Sequence, residues 1–204
     1  RLVGSEMCIR DSSVKADASC AGLMANLFWY DAENGVLQCI QTVTVGGAFE
    51  RSIPYADFTL SKGQDYFIAF GTESLNGRVI HTDGSITDSD GNYTRPAKAV
   101  IKNVSVSKNS VKMVLNEECK GALKSDYVIG TSEDMLKTGQ YTKVLKNQEE
   151  LKSAFAYMDK GTWYVACHAW FKGEDGKKVF GQWSEIHKVD VSAITPQAPV
   201  ISKV

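Results

Sequence analysis

Few residues in this 204-residue chain are able to do chemistry, and they are scattered. The histidines are His81, His168 and His187. A metal centre needs clustered His, Cys or carboxylate ligands. His168 and His187 fall on runs expected to be neighbouring strands, but two histidines without a third ligand make a poor site, so all three read as ordinary strand histidines. Cys20, Cys39, Cys119 and Cys167 form no C-x-x-C pair, which excludes zinc-ribbon and thioredoxin motifs. Cys167 lies in an apolar run and reads as a small core residue, and all four cysteines read as reduced. The stretch Asp88-Ser89-Asp90-Gly91-Asn92 is rich in oxygen. A calcium loop with Gly91 at its sixth position would start at Ile86 and end at Ala97, neither a carboxylate, so a polar turn is expected instead. No G-x-S-x-G or H-E-x-x-H motif occurs, and Gly46-Gly47 lacks a phosphate-binding lysine. The chain is therefore expected to be non-catalytic and to hold no metal or cofactor.

Aromatic residues are the remaining chemical clue. Trp29 and Tyr30 are adjacent and cannot both point inward on a strand. On the apolar run Trp163–Phe171, burial of Trp163, Val165, Cys167, Ala169 and Phe171 turns Trp170 to solvent. Tyr164 faces solvent too unless a bulge turns it inward. Trp170 and Tyr164 are thus a possible ligand platform, since a flat ring with a polar handle stacks on a sugar. The same residues also serve to cover a sheet face or to pack against a neighbouring domain.

These side chains would be positioned by short β-rich runs between turn signals. Such runs are Leu27–Tyr30, Val36–Ile40, Tyr66–Phe70, Ser110–Leu115, Tyr127–Ile129 and Trp163–Phe171. Asn34-Gly35 marks a hairpin with two left-handed turn residues, and Glu174-Asp175-Gly176 marks a second. Asn147 to Met158 carries capping residues with Leu151, Phe155 and Met158 at helical spacing, and reads as a strand with a helical turn. The charge balance, 23 basic against 24 acidic residues, lacks the basic excess that nucleic acid or an anionic membrane requires. No apolar stretch is long enough to span a bilayer.

Weak matches recur at one spacing. Gly63 in Leu60-Ser61-Lys62-Gly63-Gln64-Asp65-Tyr66 and Gly161 in Met158-Asp159-Lys160-Gly161-Thr162-Trp163-Tyr164 are 98 residues apart. Ser13-Val14-Lys15 and Ser110-Val111-Lys112 are 97 apart, Cys20 and Cys119 are 99 apart, and Asn26-Leu27-Phe28 lies near Asp126-Tyr127-Val128 on the same scale. A unit of about 100 residues with some seven strands is the size of an immunoglobulin-like sandwich.

The pattern apolar-x-x-Gly-x-x-Tyr resembles the tyrosine corner of fibronectin type III domains, although lysines (Lys62, Lys160) stand where that family has proline. The resemblance implies that the Tyr66 and Tyr164 hydroxyls bond back to the upstream backbone and pin the turn between sheets. It places Tyr66, Ile68 and Phe70 inward together. Gly161 to Val191, with its charged hairpin and Gly181-Gln182-Trp183-Ser184, is similar to repeats of Gram-positive bacterial surface proteins. The implied fold is all-β: two consecutive antiparallel β-sandwiches, the first lacking its first strand. Residues 13–95 and 96–192 are the two expected domains, and 193–204 is expected to be a linker and the start of a third repeat. Residues 1–12 resemble a translated sequencing adapter and are expected to be non-native.

The resemblance further implies an extracellular or cell-wall location and a spacer or adhesion role, with neighbouring repeats as partners and a glycan or host protein as a candidate further partner. The alternatives are a carbohydrate- or protein-binding module, or an accessory region of an extracellular enzyme whose catalytic domain lies elsewhere.

Overall fold

The computed structural model describes residues 13–16, 18–46, 49–52 and 66–192. The expected adapter segment, the expected start of a third repeat and the place of the first unit's missing first strand lie outside them. The chain divides into two compact units, Arg1–Thr94 and Arg95–Val204. It is all-β with antiparallel pairing throughout the described strands, as the turn-punctuated runs imply.

The strands of the first unit are β1 (Ser13–Ala16), β2 (Met24–Asp31), β3 (Val36–Thr44), β4 (Phe49–Ser52), β5 (Tyr66–Gly71), β6 (Val79–Ile80), β7 (Ile86–Thr87) and β8 (Tyr93–Arg95). β1 pairs with β4, and the others form a sheet in the order β5-β2-β3-β6-β7-β8. Asn34-Gly35 does close the β2–β3 hairpin, but the loop is four residues long because Asp31 pairs with Val36. Of these four residues, only Gly35 is left-handed (φ 65°). The Asp31 carboxylate organises the loop by accepting from the Glu33 N–H at 3.1 Å and the Asn34 Nδ2 at 2.8 Å. Ala25, Leu27, Val45, Tyr66 and Ile68 form the core on one face, with Trp29 and Phe70 packed against them. Tyr30 is exposed, as the alternation requires.

On the opposite side of β2, Asn26 is 2% exposed. Its Oδ1 accepts from the Leu75 N–H at 2.9 Å and from the Thr42 hydroxyl at 2.6 Å, and its Nδ2 donates to the Glu73 carbonyl at 3.2 Å. One side chain thus holds the segment that leaves β5, which then pairs with β3 through Leu37 opposite Ile80.

The second unit comprises β9 (Ile101–Ser107), β10 (Ser110–Leu115), β11 (Lys124–Gly130), helix α1 (Glu133–Lys137), β12 (Lys143–Gln148), β13 (Lys152–Phe155), β14 (Gly161–Lys172), β15 (Lys178–Phe180) and β16 (His187–Val191). One sheet runs β13-β10-β9; the other runs β12-β11-β14-β15, with β16 also on β14. Val111, Met113 and Phe155 of the first sheet meet Tyr127, Ile129, Val165 and Cys167 of the second in one core. This is a β-sandwich. Asn147 to Met158 contributes β13 and the end of β12 and contains no helix. The helix lies earlier, capped by Ser132, whose side chain accepts from the Met135 N–H, with Glu133 and Asp134 in its first turn and Lys137 in its last.

After β15 the chain passes close to the start of the unit. The Gly181 N–H donates to the Ala169 carbonyl at 2.8 Å. A Cβ on Gly181 would lie 2.8 Å from the Pro96 carbonyl oxygen and 2.9 Å from that of Ala97. Backbone faces it on that side, so no rotamer relieves the contact. Gly181→Ala is expected to lower stability by about 1–3 kcal/mol, read as an earlier urea midpoint; an unchanged midpoint would show that the approach is slack.

Candidate functional site

The second unit concentrates its polar and aromatic groups on the outer face of the β12-β11-β14-β15 sheet, away from the core. Asp126 of β11 is 6% exposed. Its carboxylate accepts from the Asn147 N–H at 2.7 Å, the Trp170 Nε1–H at 3.0 Å and the Lys178 ammonium at 3.0 Å. A register shift between Ser125 and Tyr127 against β12, with Asn147 left-handed at φ 60°, aims that N–H at Asp126. Burial pushes the Asp126 pKa up, but the bonds from Asn147, Lys178 and Trp170 outweigh it and leave the carboxyl below its usual value. Lys178 also donates to Asn147 Oδ1 at 2.7 Å and sits 3.9 Å from the centroid of the Trp170 ring.

His168 lies directly opposite Asp126. Its ring is sandwiched between Trp183, 3.6 Å away and tilted by 12°, and Phe180, 4.3 Å away and tilted by 14°. Burial drags its pKa down to about 4, against the pull of Asp126. His187 pairs with Val165, so the two histidines are not brought together. Cys167 lies fully buried on the core face, and burial pushes its thiol up to about 12. Among the described residues no group of three metal-ligating side chains forms. Asp88 accepts from the N–H groups of Asp90 and Asn92, both at 2.9 Å, which makes its loop a polar turn.

β14 buries the apolar register: Trp163, Val165 and Cys167 belong to the core. It pairs with β11 without a register shift, and Tyr164 packs on the outer face with Val128, Ala166 and Leu136. The expectation that Tyr164 turns inward as a tyrosine corner is therefore corrected. No bulge supplies the one-residue slip it needs. The preceding residue takes the role: the Trp163 Nε1–H donates to the Asp159 carbonyl at 3.0 Å, four residues upstream. An indole pins this corner where the resemblance led to a phenol. Tyr66 faces inward, 6% exposed, in the first unit's core, and its upstream segment lies outside the described residues.

Trp170 is also corrected. It is 4% exposed, because Lys178 covers its ring and Asp126 holds its N–H. It lies six residue steps along the strand from Tyr164, roughly 20 Å, with Ala166 and His168 between them. The two do not form one platform.

The sequence reading missed a groove of about 420 Å³ beside α1. Val128, Ala166, Leu136 and Ile186 supply apolar lining. Tyr141 and Trp183 flank it, with ring centroids 6.0 Å apart and planes diverging by 51°. Thr138, Gly139 and Ser184 add polar groups. Trp183 is 38% exposed. The available signals were Trp183 in a turn-rich segment and the capping residues at Ser132, but only the fold brings those two segments together.

No family model matches the chain. No curated protein matches it either. Among solved structures it is similar to the chicken CNTN1 FN1-FN3 domains, at 11% identity and a TM-score of 0.36, over 84% of this chain and 57% of that one. It is also similar to a DUF3823 family protein from Bacteroides uniformis, at 11% identity and 0.34, over 87% and 93%. A third is a Lactobacillus rhamnosus beta-glucuronidase, at 8% identity and 0.31, over 88% and 34%. The chain thus spans little more than half of the first of these and about a third of the last.

Two expectations follow from the geometry. Trp163→Phe should destabilise by about 1–3 kcal/mol through the lost hydrogen bond and the smaller ring, whereas Tyr164→Phe should fall within about 0.5 kcal/mol. Denaturant midpoints for both variants check this, and a larger loss for Tyr164→Phe would restore the phenol corner. For His168 the folded pKa of about 4 lies below the ordinary 6.5. The unfolded chain therefore binds the proton first, and stability is full above pH 6.5 and falls as pH drops toward 4. The loss should reach about 1–3 kcal/mol, reduced by the ring's partial exposure. His168→Gln should flatten this part of the profile; parallel profiles for variant and parent would rule out His168 as its source.

Proposed function

We propose that this chain is a non-catalytic segment of an extracellular or cell-wall bacterial protein, in which two tandem β-sandwich modules space, present or adhere. The single observation that carries the reading is that the second unit's chemically capable groups already have structural partners. Asp126 accepts from Asn147, Trp170 and Lys178. His168 is stacked between two rings. Cys167 is packed in the core, where burial pushes its thiol up to about 12. Modules spanning 13–95 and 96–192 fit such a role, because sandwich domains in series set distance without chemistry. The groove beside α1 favours a binding role within the same reading, since adhesion needs at least one open contact surface.

Protease treatment of intact cells that make the parent protein tests the location. Fragments carrying this sequence should be released into the medium before the cells lyse. Their appearance only after lysis would overturn the surface reading.

A further inference from the structure

The groove beside α1 lacks the closed bonding of the rest of the outer face. Trp183 stacks one ring on His168, which fixes the indole plane before any ligand arrives. Tyr141 and Trp183 both line the opening. Among the described residues neither the Tyr141 hydroxyl nor the Trp183 Nε1–H makes a hydrogen bond, whereas the indole N–H groups of Trp163 and Trp170 are both engaged. Two aromatic surfaces therefore carry two free polar handles at one place.

The charge at the rim selects the ligand class. Lys137 lines the groove and pairs with Glu133 at 3.1 Å, so the two formal charges cancel. The Thr138 hydroxyl donates to the Asp134 carbonyl at 2.7 Å and keeps its acceptor lone pairs. A neutral ligand rich in hydroxyl groups complements that rim, and its flat C–H face complements the rings. Ile186, only partly buried and packed against Val128 and Ala166, gives the groove an apolar wall that a bare hexose would leave uncovered and an acetamido methyl would cover. A volume of about 420 Å³ falls within the span of small-molecule sites.

We propose that this groove binds a neutral N-acetylhexosamine unit of a glycan, with the sugar face on Trp183 and Tyr141 and the acetyl methyl toward Ile186. The proposal deepens the adhesion reading and rests on it for the source of the glycan.

The test is a titration of the full chain, followed by two-dimensional amide NMR, with the trimer of β-linked N-acetylglucosamine and, separately, the trimer of β-linked glucose. Saturable shifts are expected at the Trp183 indole, Gly139 and Thr138, with binding at least about fivefold tighter for the acetylated trimer. Trp183→Ala should weaken binding at least about tenfold. Should that variant lose its fold with the His168 stack, Tyr141→Ala, outside the stack, carries the same expectation. Tyr157→Ala removes a ring that is 83% exposed and not part of the groove, and should leave binding unchanged. No saturable shift, equal affinity for the two trimers, or an equal loss on Tyr157→Ala would each overturn the proposal. Release of fragments from intact cells with no shift in the titration would sink the sugar site alone; fragments found only after lysis would sink the surface reading, whatever the titration gives.

Discussion

Each unit depends on one polar side chain buried on the outer side of its second-sheet strand. Asn26 precedes the core residue Leu27 on β2, and Asp126 precedes the core residue Tyr127 on β11. A buried polar group is tolerable only when its hydrogen bonds are made, so each of these side chains dictates what must come to it. The Asn26 amide both donates and accepts. It takes in a stretch of backbone, Glu73–Leu75, and so directs the chain after β5 toward β3. The Asp126 carboxylate only accepts. It gathers an indole, an ammonium and one backbone N–H, and the chain after β14 doubles back so that Lys178 of β15 can reach it. The two units diverge after β5 and after β14 in keeping with this difference between an amide and a carboxylate.

Register on β14 carries the same logic along the strand. With no slip against β11, the odd-numbered residues face the core and the even-numbered ones face outward. Trp163 consequently reaches back to Asp159, Tyr164 packs beneath α1, and His168 and Trp170 fall beside Asp126. Both faces of the strand are packed, so a one-residue shift would bring Tyr164 and His168 into the core and turn Val165 and Cys167 outward, at a cost no single hydrogen bond at the corner would recover. Tyr127 shows how far the core tolerates imperfection: its hydroxyl is buried without a partner among the described residues.

Much of this was legible from the residues. The strands at Leu27–Tyr30, Val36–Ile40, Ser110–Leu115 and Trp163–Phe171 follow from β-branched and aromatic runs bounded by turns. The apolar register of β14 follows from its alternation. The corner motif was half legible: Gly161 and an aromatic ring close behind it announce a pinned turn, but Trp163 and Tyr164 are both large rings with a hydrogen-bond donor, and spacing alone does not separate adjacent candidates. Trp170 misled for a related reason. Its place on the outer face is correct, but exposure depends on Lys178, whose approach is a long-range contact.

Local chemistry therefore determined the all-β character, the hairpins and the alternation of faces, since propensity and turn geometry act over a few residues. Tertiary structure alone decided which outward side chains are covered, which indole pins the corner and where a groove opens. Those outcomes depend on pairing between residues tens of positions apart, such as Asp126 with Lys178 and Tyr141 with Trp183. Their geometry is set by how whole strands are laid side by side, and no local pattern encodes it.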